Sequence, residues 1–180
     1  DVFVSAKNFD FNYTNDGVVI VYDGGSTGLS SLYWYATGNQ LNQYLGSTAS
    51  TAGDVNGDGY SDFMIGDGNN TVYLYYGSES GMGATGNPGN ADWSVSGFGG
   101  TEIYVGYIGD VNGDGFGDIA IGVPYSANSH TNEGAIFVYY GSETGLNPNA
   151  LPSNADWRAE GDTAYDHCGY DVETAGDENG

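Results

Sequence analysis

Short apolar runs separated by turns rich in Gly, Ser, Asn and Asp recur along the whole chain. Val2-Phe-Val, Phe63-Met-Ile and Ile119-Ala-Ile are such runs, and each follows directly on an aspartate or a strand-opening position next to one. A continuous apolar run this short, bounded by turn residues, reads as a strand covered on both faces. After a turn comes a second run that ends in a shared signature: Val21-Tyr-Asp-Gly-Gly-Ser-Thr-Gly-Leu29, Leu74-Tyr-Tyr-Gly-Ser-Glu-Ser-Gly-Met82 and Val138-Tyr-Tyr-Gly-Ser-Glu-Thr-Gly-Leu146. Trp34, Trp93 and Trp157 then open a further strand, the latter two within Asn90-Ala-Asp-Trp93 and Asn154-Ala-Asp-Trp157. A final segment, Leu45-Gly46 to Ala52-Gly53 and again Cys168-Gly169 to Ala175-Gly176, leads into the next repeat. No apolar stripe of 3.6-residue period runs for a useful length, and Tyr, Val, Ile, Phe and Trp dominate the strands, as half-buried pleated surfaces favour. The pattern predicts an all-β fold of three repeats, approximately 1–61, 62–117 and 118–180. Each has about four antiparallel strands and packs face to face as a β-propeller blade. A parallel β-solenoid fits less well, because its coils are shorter and these segments look hairpin-linked.

The chemistry lies between the repeats. Asp54-Val-Asn-Gly-Asp-Gly-Tyr-Ser-Asp62 recurs as Asp110-Val-Asn-Gly-Asp-Gly-Phe-Gly-Asp118, and Asp177-Glu-Asn-Gly180 begins a third copy. Acids and amides at alternate positions, with glycines that let the backbone coil tightly, suit a calcium loop, since calcium takes six to eight oxygens. The first loop offers the side chains of Asp54, Asn56, Asp58 and Asp62 with the carbonyl of Tyr60. The second offers Asp110, Asn112, Asp114 and Asp118 with the carbonyl of Phe116. Turns that bind nothing are the plain alternative, but each loop holds three carboxylates that would repel one another without a cation. Magnesium prefers to keep its waters. An EF-hand would continue into a helix, whereas these loops run into strand-like sequence. Asp177, Asn179 and Asp1 are candidates for a third site: with Asp1 at the ninth loop position, the site is completed by a neighbouring copy or a continuing chain.

With the loop Asp-x-Asn-Gly-Asp-Gly-x-x-Asp, the pair Leu45-Gly46 or Cys168-Gly169 before it and Gly122-Val-Pro124 after it, the chain resembles the FG-GAP repeats that form the blades of the integrin α-chain N-terminal propeller. The resemblance covers essentially the whole chain, and its specific part is the loop. The flanking motifs depart from the family pattern at Gly66-Asp-Gly68, Ser5-Ala-Lys7 and Thr101-Glu102, so no integrin partner is carried over. What the resemblance implies is structural: the loops lie between the first two strands of a blade and stiffen it, away from the usual ligand face.

Composition narrows the partners. Two cations, Lys7 and Arg158, stand against 24 acids, for a net charge of −22. Such a field repels nucleic acid and anionic membranes, while the aromatic content argues against disorder. The near absence of Lys and Arg leaves almost no sites for trypsin-like proteases, which suits an extracellular protein, although halophilic adaptation leaves the same mark. There is no apolar run long enough to span a bilayer. Cys168 is single and is expected to fill a small buried hole. Asn12-Tyr-Thr14 and Asn69-Asn-Thr71 fit the N-glycosylation pattern, making Asn12 and Asn69 candidate acceptors.

Catalytic motifs are weak. Gly81-Met-Gly-Ala-Thr-Gly86 matches a dinucleotide fingerprint, but Asn87-Pro-Gly-Asn cannot open the helix that such a site needs. His167 beside Cys168 lacks the partners of a thiolate or zinc site. The tryptophans recur at one position per repeat and so read as packing between blades, while Tyr35, Tyr104 and Tyr107 differ between repeats and are the best candidates for sugar contacts. The reading is a non-catalytic, extracellular, calcium-binding propeller module with a structural or adhesive role. Its partners would be other copies of itself, the rest of a longer surface chain, glycans or other extracellular proteins. The alternatives are a carbohydrate-binding propeller and an accessory propeller of a secreted enzyme. Three blades are too few to close a ring, so further contacts at both ends are expected, as a six-bladed ring of two units or a head-to-tail filament.

Overall fold

The computed structural model describes residues 1–176 and is a β-propeller array of three antiparallel sheets. The first sheet contains β1 (Val2–Ala6), β2 (Val18–Gly25) and β3 (Gly28–Thr37). The second contains β4 (Thr48–Gly53), β5 (Asp62–Gly66), β6 (Val72–Tyr75) and β7 (Trp93–Val95), and the third β8 (Tyr104–Gly109), β9 (Asp118–Val123), β10 (Ala135–Tyr139) and β11 (Trp157–Glu160). Consecutive strands pair throughout, so every sheet is a meander. Among the described residues helical structure is confined to a 3-10 turn at Pro152–Asn154, and no helix is long and apolar enough to cross a membrane.

Burial explains why the strands read as unbroken apolar runs. Every residue of β5 and of β9 is buried, because each is flanked by strands on both sides and covered on both faces, where alternation is not required. β1 is their counterpart in the first repeat, but it is an edge strand paired only with β2, and all five of its residues are exposed. The first sheet has three strands where about four are expected. The one without a counterpart among the described residues corresponds to β4 and β8.

The second sheet is the centre of the molecule. One face packs Phe63, Ile65, Tyr73 and Tyr75 against Val19, Val21, Trp34 and Ala36 of the first sheet. The other packs Met64, Val72, Leu74, Trp93 and Val95 against Ile119, Ile121, Phe137 and Tyr139 of the third. The tryptophans act across these seams. Trp34 meets Tyr75 edge-on at 5.2 Å and donates its indole N–H to the Ala84 carbonyl at 2.9 Å. Trp93 meets Tyr139 at 5.7 Å and donates to the Asn147 carbonyl at 2.8 Å. Each therefore reaches from the last strand of one sheet into the connection of the next.

Two expectations are corrected. Trp34 does not open its strand but lies inside β3, because a tight hairpin between Gly25 and Gly28 joins β2 to β3, and the strand starts earlier than its counterparts β7 and β11. Trp157 does open β11, but it is 50% exposed against 4% for Trp34 and Trp93, since no following sheet among the described residues covers it. Cys168 is half-buried, with its backbone bridged to Gly134.

Candidate metal centres

Both Asp/Asn/Gly loops begin at a β-bulge. The register shifts between Thr51 and Gly53 in one sheet and between Tyr107 and Gly109 in the other, and an extra residue there turns the strand out into the loop. The loops then fold alike. Asp54 accepts the amides of Asp58 at 3.1 Å and Gly59 at 2.8 Å, and Asn56 Oδ1 accepts the same Asp58 amide at 3.1 Å. Asp58 Oδ1 accepts the Tyr60 amide at 2.9 Å. In the second loop Asp110 accepts the amides of Asp114 at 3.0 Å and Gly115 at 2.8 Å, Asn112 Oδ1 that of Asp114 at 3.0 Å, and Asp114 Oδ1 that of Phe116 at 3.0 Å. Side-chain oxygens of the first and third positions thus meet at one amide, that of the fifth.

The ninth position does different work. Asp62 and Asp118 are 1% and 0% exposed. Asp62 Oδ2 accepts the Val55 amide and Oδ1 the Gly77 amide, both at 2.9 Å. Asp118 accepts the amides of Val111 at 2.8 Å and Gly141 at 2.9 Å. Burial pushes the Asp62 carboxyl up to about 6; the two amides oppose that shift, and the carboxylates of Asp58 and Asp54 add to it. Asp118 is raised for the same reasons, burial first.

Asp1 accepts the Gly24 amide at 2.8 Å, the same contact that Asp62 makes with Gly77 and Asp118 with Gly141. It lines a cleft of about 770 Å³ with Tyr60, Ser61, Gly77 and Ser78. Asp177 and Asn179 lie outside the described residues. The Gly-Ser pairs that close the strand signature, Gly77-Ser78 and Gly141-Ser142, have a part at the loops that the sequence reading did not assign them. Their glycine amides anchor the ninth aspartate, and the recurrence of the pair in step with the loop was the signal.

Among the described residues no three His, Cys, Asp or Glu side chains already form a metal-holding group. Here the carboxylates turn onto loop amides, and asparagine takes the third position. The donor set is nevertheless hard oxygen throughout, in two loops of one conformation, and that chemistry fits calcium better than a soft transition metal.

The remaining candidates sit apart. Asn12 and Asn69 are exposed, on turns held by Asp16 and Asp67 respectively. Residues 81–86 form no helix, and Gly86 bridges Ala36 of the first sheet. His167 packs on Tyr125 at 4.9 Å with its Nδ1 3.2 Å from the Pro124 carbonyl. Tyr104 stacks on Tyr170 at 5.1 Å, and Tyr35 packs on Phe11 at 5.8 Å. Tyr107 lies over Gly53, where an added Cβ would come 2.3 Å from its ring; it is a packing residue between sheets.

Residues 45–75 and 103–139 match the FG-GAP repeat family, and these two segments contain both loops with their flanking strands. Integrin alpha-V of Gallus gallus is 31% identical over 176 residues, covering 89% of this chain and 16% of that protein. Integrin alpha-4 of Xenopus laevis is 30% identical over 153 residues, covering 80% of this chain and 13% of that protein. Integrin alpha-PS2 of Drosophila melanogaster is 33% identical over 135 residues, covering 65% and 9%. The chain therefore spans less than a fifth of the length of these relatives. Loop, blade and sequence agree, and the chain belongs to the FG-GAP repeat family.

Proposed function

We propose that this chain is a calcium-stabilised segment of an extracellular or cell-surface propeller whose role is structural and adhesive rather than catalytic. The observation that carries this reading is the repeated loop. Two loops of the same motif, with the hydrogen bonds of their first, third and fifth positions in common, each carry three carboxylates and an asparagine at the junction of two strands. Asp54, Asn56, Asp58 and Asp62, with the Tyr60 carbonyl, hold one calcium ion. Asp110, Asn112, Asp114 and Asp118, with the Phe116 carbonyl, hold a second. Bound calcium would supply the positive charge that reconciles those carboxylates and would fix the loop against its blade. Asp1 belongs to a third site, in which the first, third and fifth positions come from Asp177, Asn179 and residues of a continuing chain or a second copy.

The adhesive setting rests on likeness to integrin α chains and on the net charge of −22, which favours protein or neutral glycan partners over nucleic acid or anionic lipid. The uncovered Trp157 and the exposed β1 support end-to-end packing against further blades, from another copy or from the same chain. Asn12 and Asn69 are open to glycosylation.

Thermal melting in EDTA and in millimolar calcium tests the reading. A ligand that binds only the folded state adds about 2.7 kcal/mol per site at a hundredfold excess over its dissociation constant, so the midpoint should rise by several degrees. Equal midpoints at matched ionic strength would refute calcium binding.

A further inference from the structure

The two loops are not independent. Gly117, at the eighth position of the second loop, donates its amide to the Asp54 carbonyl of the first at 2.7 Å. The Phe116 ring lies over Gly57, where a Cβ would stand 2.5 Å from its Cε1, so only glycine admits the ring at that distance. Ser142, next to the glycine held by Asp118, donates to the Val55 carbonyl at 3.0 Å, and the Val55 amide is held by Asp62. A continuous chain of contacts thus joins the ninth aspartate of one loop to the ninth aspartate of the other.

We infer that the calcium site of the first loop is built by two blades, with Phe116 and Gly117 of the second loop as its positioning residues, and that occupancy of the second loop strengthens binding at the first. This rests on the calcium reading above. The physical reason is that Phe116 and Gly117 occupy the seventh and eighth positions of their own loop: the Phe116 carbonyl is itself a proposed ligand, and Gly117 links it to the proposed ligand Asp118. A cation bound there fixes the backbone that carries both residues. Fixing them in turn holds Asp54 and Gly57 in the shape the first site needs, so part of the ordering cost at the first site is met at the second. Coupling of this kind is reciprocal. Any ring-over-glycine contact on the second loop would have to come from a further blade.

The sequence offers a probe that separates the sites. Tyr60 stands at the seventh position of the first loop where the second has Phe116, so terbium luminescence excited through tyrosine reports the first loop, and a Tyr60→Phe control identifies that signal. Terbium and calcium titrations of the wild type, Phe116→Ala, Phe116→Leu and Asp114→Ala are expected to behave as follows. Phe116→Ala weakens the Tyr60-dependent midpoint at least about fivefold, the lower end of ordinary coupling energies; Phe116→Leu restores most of it; and Asp114→Ala weakens it too, although Asp114 is not in that loop. A role confined to stability would lower the melting temperature and leave the first-loop midpoint in place. An unchanged midpoint in Asp114→Ala overturns the inference even if Phe116→Ala does not fold. A wild type with no Tyr60-dependent signal and no calcium shift overturns the calcium reading, and this inference with it.

Discussion

The second and third sheets carry the same motifs in the same order, and they differ in what lies beyond them. Val55 and Val111 are both the second residue of a loop, yet Val55 is fully buried and Val111 is 54% exposed. Trp93 is sealed into the seam with Tyr139 and Asn147, whereas the equivalent Trp157 is half open. Asp54 and Asn56 are half-buried where Asp110 and Asn112 are exposed. Nothing in the motif accounts for these differences. A blade covers the loop of the blade before it, so a repeat's environment is set by its neighbour rather than by its own sequence.

Truncation should therefore have unequal effects at equivalent positions. Trp93→Ala removes a large buried ring and is expected to cost about 3–5 kcal/mol, while Trp157→Ala in these 180 residues as a dilute monomer should cost less than about 1 kcal/mol. Urea denaturation of the two variants measures both. A cost at Trp157 equal to that at Trp93 would mean that the outer face of the third sheet is covered in solution, which would break the comparison in favour of assembly.

Next in size are the loops. Asp58→Ala should abolish one site's share of the calcium-induced stabilisation, about 2.7 kcal/mol at a hundredfold excess of calcium. Asp114→Ala should remove its own share and part of the first site's. Melting at fixed calcium reads the two losses; identical losses would show that the sites act separately.

How much of this could be read from the chain depends on the distance over which each feature is determined. The strands β5, β6, β9 and β10 were legible because their apolar runs recur between fixed turns, and the loops because glycines and acids keep a strict spacing. The expectation that Asp1 is a ninth-position residue came from alignment of the repeats, and its hydrogen bond to Gly24 has the form of the two others. The long β3 was not, because the Gly25–Gly28 hairpin replaces the longer connections that precede β7 and β11. The exposure of Trp157 was equally hidden: recurrence implied packing in every repeat, but packing requires a following sheet. The contact of Phe116 with Gly57 joins residues far apart in sequence, and no local pattern marks it.

Smaller changes refine the contrast. Val55→Ala should cost about 2 kcal/mol, the value of losing two buried methyl groups from a site held on both sides, and it should also weaken calcium at the first loop by loosening the Ser142 and Asp62 contacts. Val111→Ala should stay within about 0.5 kcal/mol. Denaturant midpoints at constant m-value decide the first point, and the terbium titration decides the second.

The smallest expected effect is that of pH. Asp62 has a carboxyl raised to about 6 from an ordinary 3.8, so between those values the metal-free folded protein binds more protons than the unfolded chain. Its stability should then rise as pH falls from about 7 to about 5, by a few degrees in the melting midpoint. Calcium reverses the sign of the effect, because it binds the ionised carboxylate and competes with the proton. The calcium-induced shift should therefore shrink over the same interval. Below that window Asp16, Glu133 and Asp166 act in the opposite sense: backbone and side-chain hydrogen bonds hold their carboxyls below the usual range, and the stability they contribute is lost on stronger acidification. Asp62→Asn should flatten the metal-free rise more than Asp118→Asn does. A metal-free midpoint that falls steadily from pH 7 to 5 would mean that the ninth aspartate is already ionised and stabilised without a cation, which would remove the electrostatic reason for calcium at the first loop.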